Sequence, residues 1–539
     1  MDKIGRSLEK IFTFLCKPFT EYISFFITVF FMSSIVDFIG YTQLVSFPKA
    51  IFIALHHYFI CYILTIILLV LPKYIRCFYK IFVYSLLAIN LLIDSVCVFK
   101  FHFVFNSDVF GIILGTNKEE VYEFIKTYIS IDFILVVLLV FIFFYTLYNI
   151  LLKVKIVINT KVNIILLSVV FISILSFIFV SSKNFGIVSV TKLYTILNVD
   201  VPPNLKDYYV NPSLKIIKKH KPKNIIMIIG ESFSKSHSSL YGYEKNTNPR
   251  LSILENNSEL YVFSNVKSSG LYTIEAFQGL MSTYKQEYKD SIKWYKCLTI
   301  QEILRRNDYN QIWISNQSKT GLYDNVVTKY SELCDTVVFV GDCYSGSFKW
   351  TRNDYDELLL EPIEKYNHKS NSKNNFYFIH LMGSHHEFNK RYPQSFDVFK
   401  EQDYLNEKEH KRKKIAEYDN SVLYNDYIVN EIIKIFKKEE ALIFYFSDHA
   451  LDIFESREDY IGHARHNDIK SVEAGSNIPF ILYVSPKYQA NFPDDCERIK
   501  KAVNKKFRTD DMIYTIMDVI GVEFEDNNDV ERYSLFNDF

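Results

Sequence analysis

The sequence predicts a helical membrane domain of five spans followed by an α/β domain with a mostly parallel central sheet. Three observations carry that prediction. Five apolar runs crowd the first third of the chain, short apolar runs alternate with helical patterns in the rest, and several of those short runs stop on an acid or a histidine. At 539 residues the chain is too long for one ordinary domain. Its 61 Lys and Arg balance 61 Asp and Glu, so no global basic field points to nucleic acid.

The long apolar runs cover about 22–40, 50–71, 81–99, 131–152 and 164–181, each sufficient to cross a hydrocarbon core of ~30 Å. The first is not a cleaved signal peptide: it lacks a small-residue cleavage site, and four more runs follow. Lys3, Arg6, Lys10 and Lys17 precede the first run, Lys73, Arg76 and Lys80 follow the second, and Lys153, Lys155 and Lys161 follow the fourth. This distribution puts the N-terminus in the cytoplasm and, after five spans, everything beyond residue 182 outside it. Asp37 and Asp94 interrupt two runs and are expected to face the bundle interior or an interface. "GTNKEEVYEF" (115–124) reads as a short amphipathic helix at the membrane surface, and "IVSVTKLYTIL" (187–197) as a segment lying along the same interface. The polar, proline-punctuated stretch 199–223 is a linker. The expected domains are thus 1–181 in the membrane, 182–223 as interfacial helix and linker, and 224–539 outside the cytoplasm. Cys297, Cys334, Cys343 and Cys496 lie in that last part, where disulfides are permitted, but no CxxC pair marks a zinc ribbon or a thioredoxin site.

Short apolar runs recur at 224–230, 260–266, 310–315, 335–340, 375–382, 441–447 and 478–484, with helical patterns such as 298–306, 416–438 and 509–521 between them. In parallel α/β sheets ligands bind beyond the carboxyl ends of the strands. "NIIMIIGES" runs into Glu231, and "LIFYFSDH" into Asp448 and His449. "NFYFIHLMGSHHEF" carries His385 and His386, and "YIGHARH" carries His463 and His466. Any one of these reads as a strand-end acid or a surface histidine. Four at strand ends or adjoining loops point to a shared metal or phosphate site, and carboxylates with imidazoles are ordinary zinc ligands. Thr273, in "SSGLYTIEAFQGLMS" (268–282), stands at the start of a helical pattern. It reads either as a plain N-cap or, beside a metal, as a nucleophile at a helix end that favours anions.

The ordered set "GES", "LYGYEKNTNP" (240–249), "YT" (272–273), "HLMGSHHEFNKRYP" (380–393), "AEYDNSVLYNDYIV" (416–429) and "SDH" resembles the phosphoethanolamine transferases of the alkaline phosphatase superfamily, which include the lipid A and lipopolysaccharide-core enzymes and the mobile colistin-resistance enzymes. The resemblance implies a sulfatase-like catalytic domain after the five spans. It implies one zinc on Glu231, Thr273, Asp448 and His449, with a second possible, and Thr273 as nucleophile. His385 and His463 would handle the phosphate, and Asn316, Gln317, Lys319 and His466 would join them in contacting substrate. Phosphatidylethanolamine would be the donor, and lipid A, a core sugar or another envelope glycan the acceptor. The place of action would be the periplasmic side of a bacterial inner membrane. The chain departs from the family's pattern at "SDHALD", where "SDHGE" is common, and at Ile112, where many members carry Asn. "YTIEAFQGLMS" is closer to the core-sugar branch. Two other readings remain. A phosphoglycerol transferase like lipoteichoic acid synthase would use manganese, and "GYEKNTNP" and "HLMGSHHEF" speak against it. A catalytically dead membrane sensor or scaffold would not need the complete ligand set. A sulfatase activity would need a C-x-P-x-R motif, which "CKPFT" (16–20) lacks.

Overall fold

The structure is a computed structural model describing residues 2–100, 131–153, 158–181 and 204–537, except 209, 211, 219, 289–290, 318, 320–325, 341–354, 370–373 and 465–467. The segments 115–124 and 187–197, Cys343 and His466 therefore lie outside the described residues. Residues up to Asp200 form most of one compact unit and Val201–Phe539 most of a second.

The first unit is helical: α1 (Asp2–Thr20), α2 (Ile23–Leu44), α3 (Phe47–Val70), α4 (Lys73–Ser95), α5 (Ile131–Lys153) and α6 (Thr160–Ser181). The sequence reading assigns no helix to α1, whose Cys16 and Phe19 are buried while Leu8 and Ile11 stay exposed. Among the described residues three helices are long and apolar enough to cross a membrane: α2, α3, and α4 with its continuation to Phe99. α5 and α6 carry shorter apolar stretches, Leu138–Lys153 and Thr160–Ser176. Three spans rather than five thus meet that requirement. The two acids inside apolar runs do face inward. Asp37 is buried against His57, with Nε2 to Oδ2 at 3.0 Å, and buried Asp94 accepts a hydrogen bond from Asn90 Nδ2. An unpaired charge there would be costly, and the partners offset that cost.

The second unit is built on a seven-stranded sheet: β1 (Asn224–Gly230), β2 (Leu260–Val262), β3 (Tyr309–Ser315), β4 (Thr336–Phe339), β5 (Asn374–His380), β6 (Ala441–Ser447) and β7 (Phe480–Val484). Their spatial order is β2-β7-β6-β1-β5-β3-β4. The block from β6 to β4 is parallel, whereas β7 runs antiparallel to both β6 and β2, so the sheet is mixed rather than uniformly parallel. The reason is local. β6 ends at the same edge where β7 begins, with Phe446 opposite Phe480, so the chain returns without a crossover.

β1 and β6 are buried at every position, as expected of central strands covered on both faces. Along β1, Ile225, Met227 and Ile229 enter one core with Phe444, Phe446 and Phe480. Ile226 and Ile228 enter the other with Ile443 and Tyr445 and with Tyr418 and Val422. Each such side chain contributes ~1.5–3 kcal/mol on full burial. Two helices bear on the site: α7 (Thr273–Leu280), and α8 (Glu409–Phe436), which supplies Tyr418 and Val422 to the second core. The described cysteines, including Cys297, Cys334 and Cys496, are free thiols.

Candidate metal centre and active site

Parallel pairing puts the ends of β1, β5 and β6 side by side. Gly230 lies opposite Ser447, and Ile229 opposite both Phe446 and His380. The next residues out are Glu231 and Asp448. Glu231, Asp448 and His449 are all buried, and one possible ligand atom from each lies within 4.8 Å of the others. His449 Nε2 is 3.1 Å from Glu231 Oε1 and 3.6 Å from Asp448 Oδ2. His449 Nδ1 lies 3.1 Å from the Ala450 carbonyl, which leaves Nε2 of the neutral ring with its lone pair toward the carboxylates.

Thr273 comes to the same place. It is the first residue of α7, preceded by an extended Tyr272 in the capping position, and so is not itself the N-cap. Its hydroxyl donates to Glu231 Oε2 at 3.2 Å and lies 3.5 Å from His449 Nε2. Gly270 lets the loop pass close to the helix, since a Cβ there would overlap Ala276 N. Ser268 Oγ donates to the Asp448 carbonyl and ties the loop to β6.

Buried charges are paired or bind metal, and two buried carboxylates share one imidazole here. Burial, and then the Glu231 charge, raise the Asp448 carboxyl well above the usual range. Burial alone would lift Glu231 too, but His449, His385 and the Ser232 hydroxyl hold it well below its ordinary value. Burial works against charge on His449, yet Asp448 and Glu231 raise its pKa to about 9. Asp448 Oδ2 is buried without a hydrogen-bond partner. An orphaned carboxylate oxygen facing a second carboxylate and an imidazole fits a divalent cation, with Glu231, Asp448, His449 and the Thr273 hydroxyl as the donor set.

One result follows for pH. Below about 9 the metal-free site holds a proton on His449, and the raised Asp448 carboxyl also gains one as pH falls. A metal must displace them. Apparent affinity for a divalent cation, with zinc as the probe, is therefore expected to fall by about tenfold per pH unit for each proton released, between about pH 8 and about pH 6. Zinc titrations by calorimetry in buffers of different ionisation enthalpy measure the released protons directly, and a pH-independent affinity would contradict the arrangement.

The remaining expected residues separate. Gln317 Nε2 donates to Glu231 Oε2 and to the Leu381 carbonyl, both at 3.2 Å. Asn316 is buried and donates its amide to Asp356 instead. Lys319 is exposed, and its carbonyl accepts from Thr328. His385 is half-buried within electrostatic reach of Glu231 and His449, and desolvation first of all pushes its pKa down to about 4. His463 is exposed, with its ring 5.0 Å from that of His449.

Sequence reasoning missed several supports. Asp356 accepts from the Met382 and Gly383 amides. Gly383, at φ 53°, passes so near that a Cβ would fall 2.7 Å from the Glu231 carbonyl. Ser447 accepts from Phe233 N and donates to the His449 carbonyl. Of these, Gly383 in "HLMGSHH" and Ser447 in "SDH" lie in quoted stretches, and Asp356 carried no local signal.

The phosphoethanolamine transferase EptC of Escherichia coli is 28% identical over 345 residues, covering 62% of this chain and 56% of its own length. The chain thus spans little more than half the length of the curated relatives it matches. The crystal structure of the C-terminal periplasmic domain of Escherichia coli EptC, in complex with Zn, superposes with a TM-score of 0.54 at 25% identity, over 61% of this chain and 90% of that one. The integral membrane lipooligosaccharide phosphoethanolamine transferase A of Neisseria meningitidis shares the fold over 97% of this chain and 98% of its own, with a TM-score of 0.64 at 15% identity. The sequence model of the sulfatase family matches residues 223–522, from the threshold of β1 to beyond β7. With more than half of the chain inside that match, and the buried ligand cluster at the strand ends it spans, the protein belongs to the sulfatase family.

Proposed function

We propose that this protein is a membrane-bound phosphoethanolamine transferase that takes its group from phosphatidylethanolamine and passes it to an envelope glycolipid or glycan. The observation that carries the reading is the Thr273 hydroxyl at the N-terminus of α7, 3.2 Å from Glu231 and 3.5 Å from His449. A hydroxyl held in a buried ligand cluster is equipped for covalent transfer. The likeness to proteins named phosphoethanolamine transferase supports the choice of group.

Zinc is the metal proposed for Glu231, Thr273, Asp448 and His449. When bound it would supply Lewis acidity for the hydroxyl and for charge developing on phosphoryl oxygens. The chain's own residues do the rest. Thr273 Oγ1 attacks the donor phosphorus, and the bond from phosphorus to the diacylglycerol oxygen breaks. The proton lost by Thr273 ends on that oxygen, ferried by a histidine of the cleft, His385 or His463. An acceptor oxygen then attacks the phosphorus of the phosphoethanolamine-threonine, the bond from phosphorus to Thr273 Oγ1 breaks, and the acceptor's proton returns to Oγ1. Gln317, beside Glu231, would contact the phosphoryl group, with Lys319 and His466 as further substrate contacts, while Asn316 would support the site through Asp356. The two helices α5 and α6 complete five spans with α2 to α4, giving a membrane domain over 1–181, a linker over 182–223 and a periplasmic catalytic domain over 224–539.

Mass spectrometry of glycolipids and surface glycans from cells with and without the gene tests the function. Phosphoethanolamine is expected on an envelope acceptor only when the gene is present. Glycerol phosphate in its place would move the protein to another transfer reaction, and no difference would reject the reading.

A further inference from the structure

Glu231 is presented by a turn in a disfavoured backbone conformation, and the group that secures the turn comes from a distant part of the chain. Ser232, buried and carrying a Cβ, has φ 61°. Residues other than glycine avoid that region. The conformation aims Ser232 Oγ at Glu231 Oε1, 2.6 Å away, and its amide at Asp448 Oδ1, 3.3 Å away. Two hydrogen bonds to the backbone of this turn come from one oxygen. The hydroxyl of Tyr418, fully buried on α8, donates to the Ser232 carbonyl and accepts from the Ser234 amide, both at 2.7 Å. Burial keeps the Tyr418 pKa well above its ordinary value, so the phenol retains the proton it donates.

The same turn of α8 reaches the other flank. Ser421, three residues on and on the same helix face, is hydrogen-bonded to Ser384 Oγ at 2.9 Å, and the Ser384 amide donates to the Glu231 carbonyl at 2.9 Å. Between them Asp419 accepts from Tyr243 and Tyr404 and lies 2.6 Å from His237 Nδ1, which pins this stretch of helix in place.

We propose that Tyr418 is a positioning residue for the metal centre: its hydroxyl clamps the left-handed Ser232 turn and so fixes where the Glu231 carboxylate stands. Tyr418 acts through Ser232 and touches no reacting group. The inference rests on the metal centre and not on the group transferred, so a failure of the transferase reading leaves it standing, and a wild-type protein that binds no zinc reveals a failed metal assignment before any variant is compared.

The test is a zinc titration of the metal-free full-length protein in detergent against a chelating competitor. Tyr418→Phe removes one oxygen and is expected to weaken zinc binding by ~10–100-fold, the range for partners that orient a ligand. Ser232→Gly supplies the discriminating background, because glycine adopts positive φ without a Cβ penalty. In that background Tyr418→Phe is expected to cost less than about threefold, the mark of two coupled positions. Equal losses in both backgrounds would mean that Tyr418 only packs, and would overturn the proposal, as would wild-type affinity in Tyr418→Phe. Should Tyr418→Phe alone not fold, recovery of folding and zinc binding in the double variant supports the clamp, and a double variant that also fails to fold overturns it.

Discussion

Thr273→Ala is expected to abolish transfer completely while leaving the protein folded and able to bind metal. Without acceptor, the wild-type protein given phosphatidylethanolamine should release about one equivalent of diacylglycerol and then slow to the rate of hydrolysis, the mark of a covalent intermediate. The added phosphoethanolamine should map by mass spectrometry to the peptide containing "LYTIEAF". Loss of the nucleophile removes both the burst and the label. The structural cost is small, because Thr273 is half-buried, makes one donor bond to Glu231 and is not the cap of its helix. A bond of that kind contributes ~0.5–1.5 kcal/mol. Glu231, Asp448 and His449 remain as the proposed ligands, so zinc is expected to be retained with lower affinity. Ser269, upstream in the same loop, offers another hydroxyl, but it lies against Thr509 and outside the cluster. A label on Ser269, or a burst that survives in Thr273→Ala, would reject the mechanism while leaving the metal assignment intact.

The second large effect is on the metal, and the two variants that remove it should differ in a telling way. Asp448→Ala and His449→Ala are each expected to lose zinc and all activity, far beyond the ~10–100-fold of a change in an orienting partner. With zinc at about a thousandfold excess over its Kd, the wild-type protein gains ~4 kcal/mol of stability, and neither variant should show that gain. The metal-free proteins should diverge. His449→Ala leaves Glu231 and Asp448 buried and facing each other with no cation between them, so its melting temperature should drop. Asp448→Ala removes one of the two repelling carboxylates and leaves the Glu231–His449 pair at 3.1 Å, so its melting temperature should stay near that of the metal-free wild type. Calorimetric melts of the wild type and both variants, metal-free and zinc-loaded, read both comparisons. A zinc-dependent rise surviving in His449→Ala would remove that residue from the ligand set.

The convergence of Glu231, Asp448 and His449 was legible because a short apolar run that halts on an acid or a histidine is a strand-end signal visible in a few letters. Thr273 was legible as the start of a helix, but the reading of it as a plain N-cap does not hold, because Tyr272 takes that position through its backbone conformation alone. The choice between Asn316 and Gln317 lay beyond sequence, since neighbouring residues leaving a strand point opposite ways. Only Gln317 turns toward Glu231. The run 478–484 announced a strand but not its direction, which depends on which sheet edge the preceding chain has reached. Tyr418 lies in the stretch 416–429 that carries the resemblance, but nothing in the sequence tied it to Glu231. Its contacts to Ser232 and Ser234 join positions far apart in sequence, and a tyrosine inside an apolar helix face reads as core.

The antiparallel return from β6 to β7 has a consequence for how such a protein can diversify. Phe446 and Phe480 stand opposite each other in the paired strands β6 and β7, so everything between them is an excursion whose two ends are already joined. Asp448 and His449 occupy its base, while His463 sits on its exposed part. Lengthening such an excursion adds only closure entropy, ~0.6 kcal/mol for each doubling, and leaves the strand register untouched. The Asp448–His449 pair and the surface surrounding His463 can therefore vary separately, the first held by the sheet, the second exchanged as a cassette.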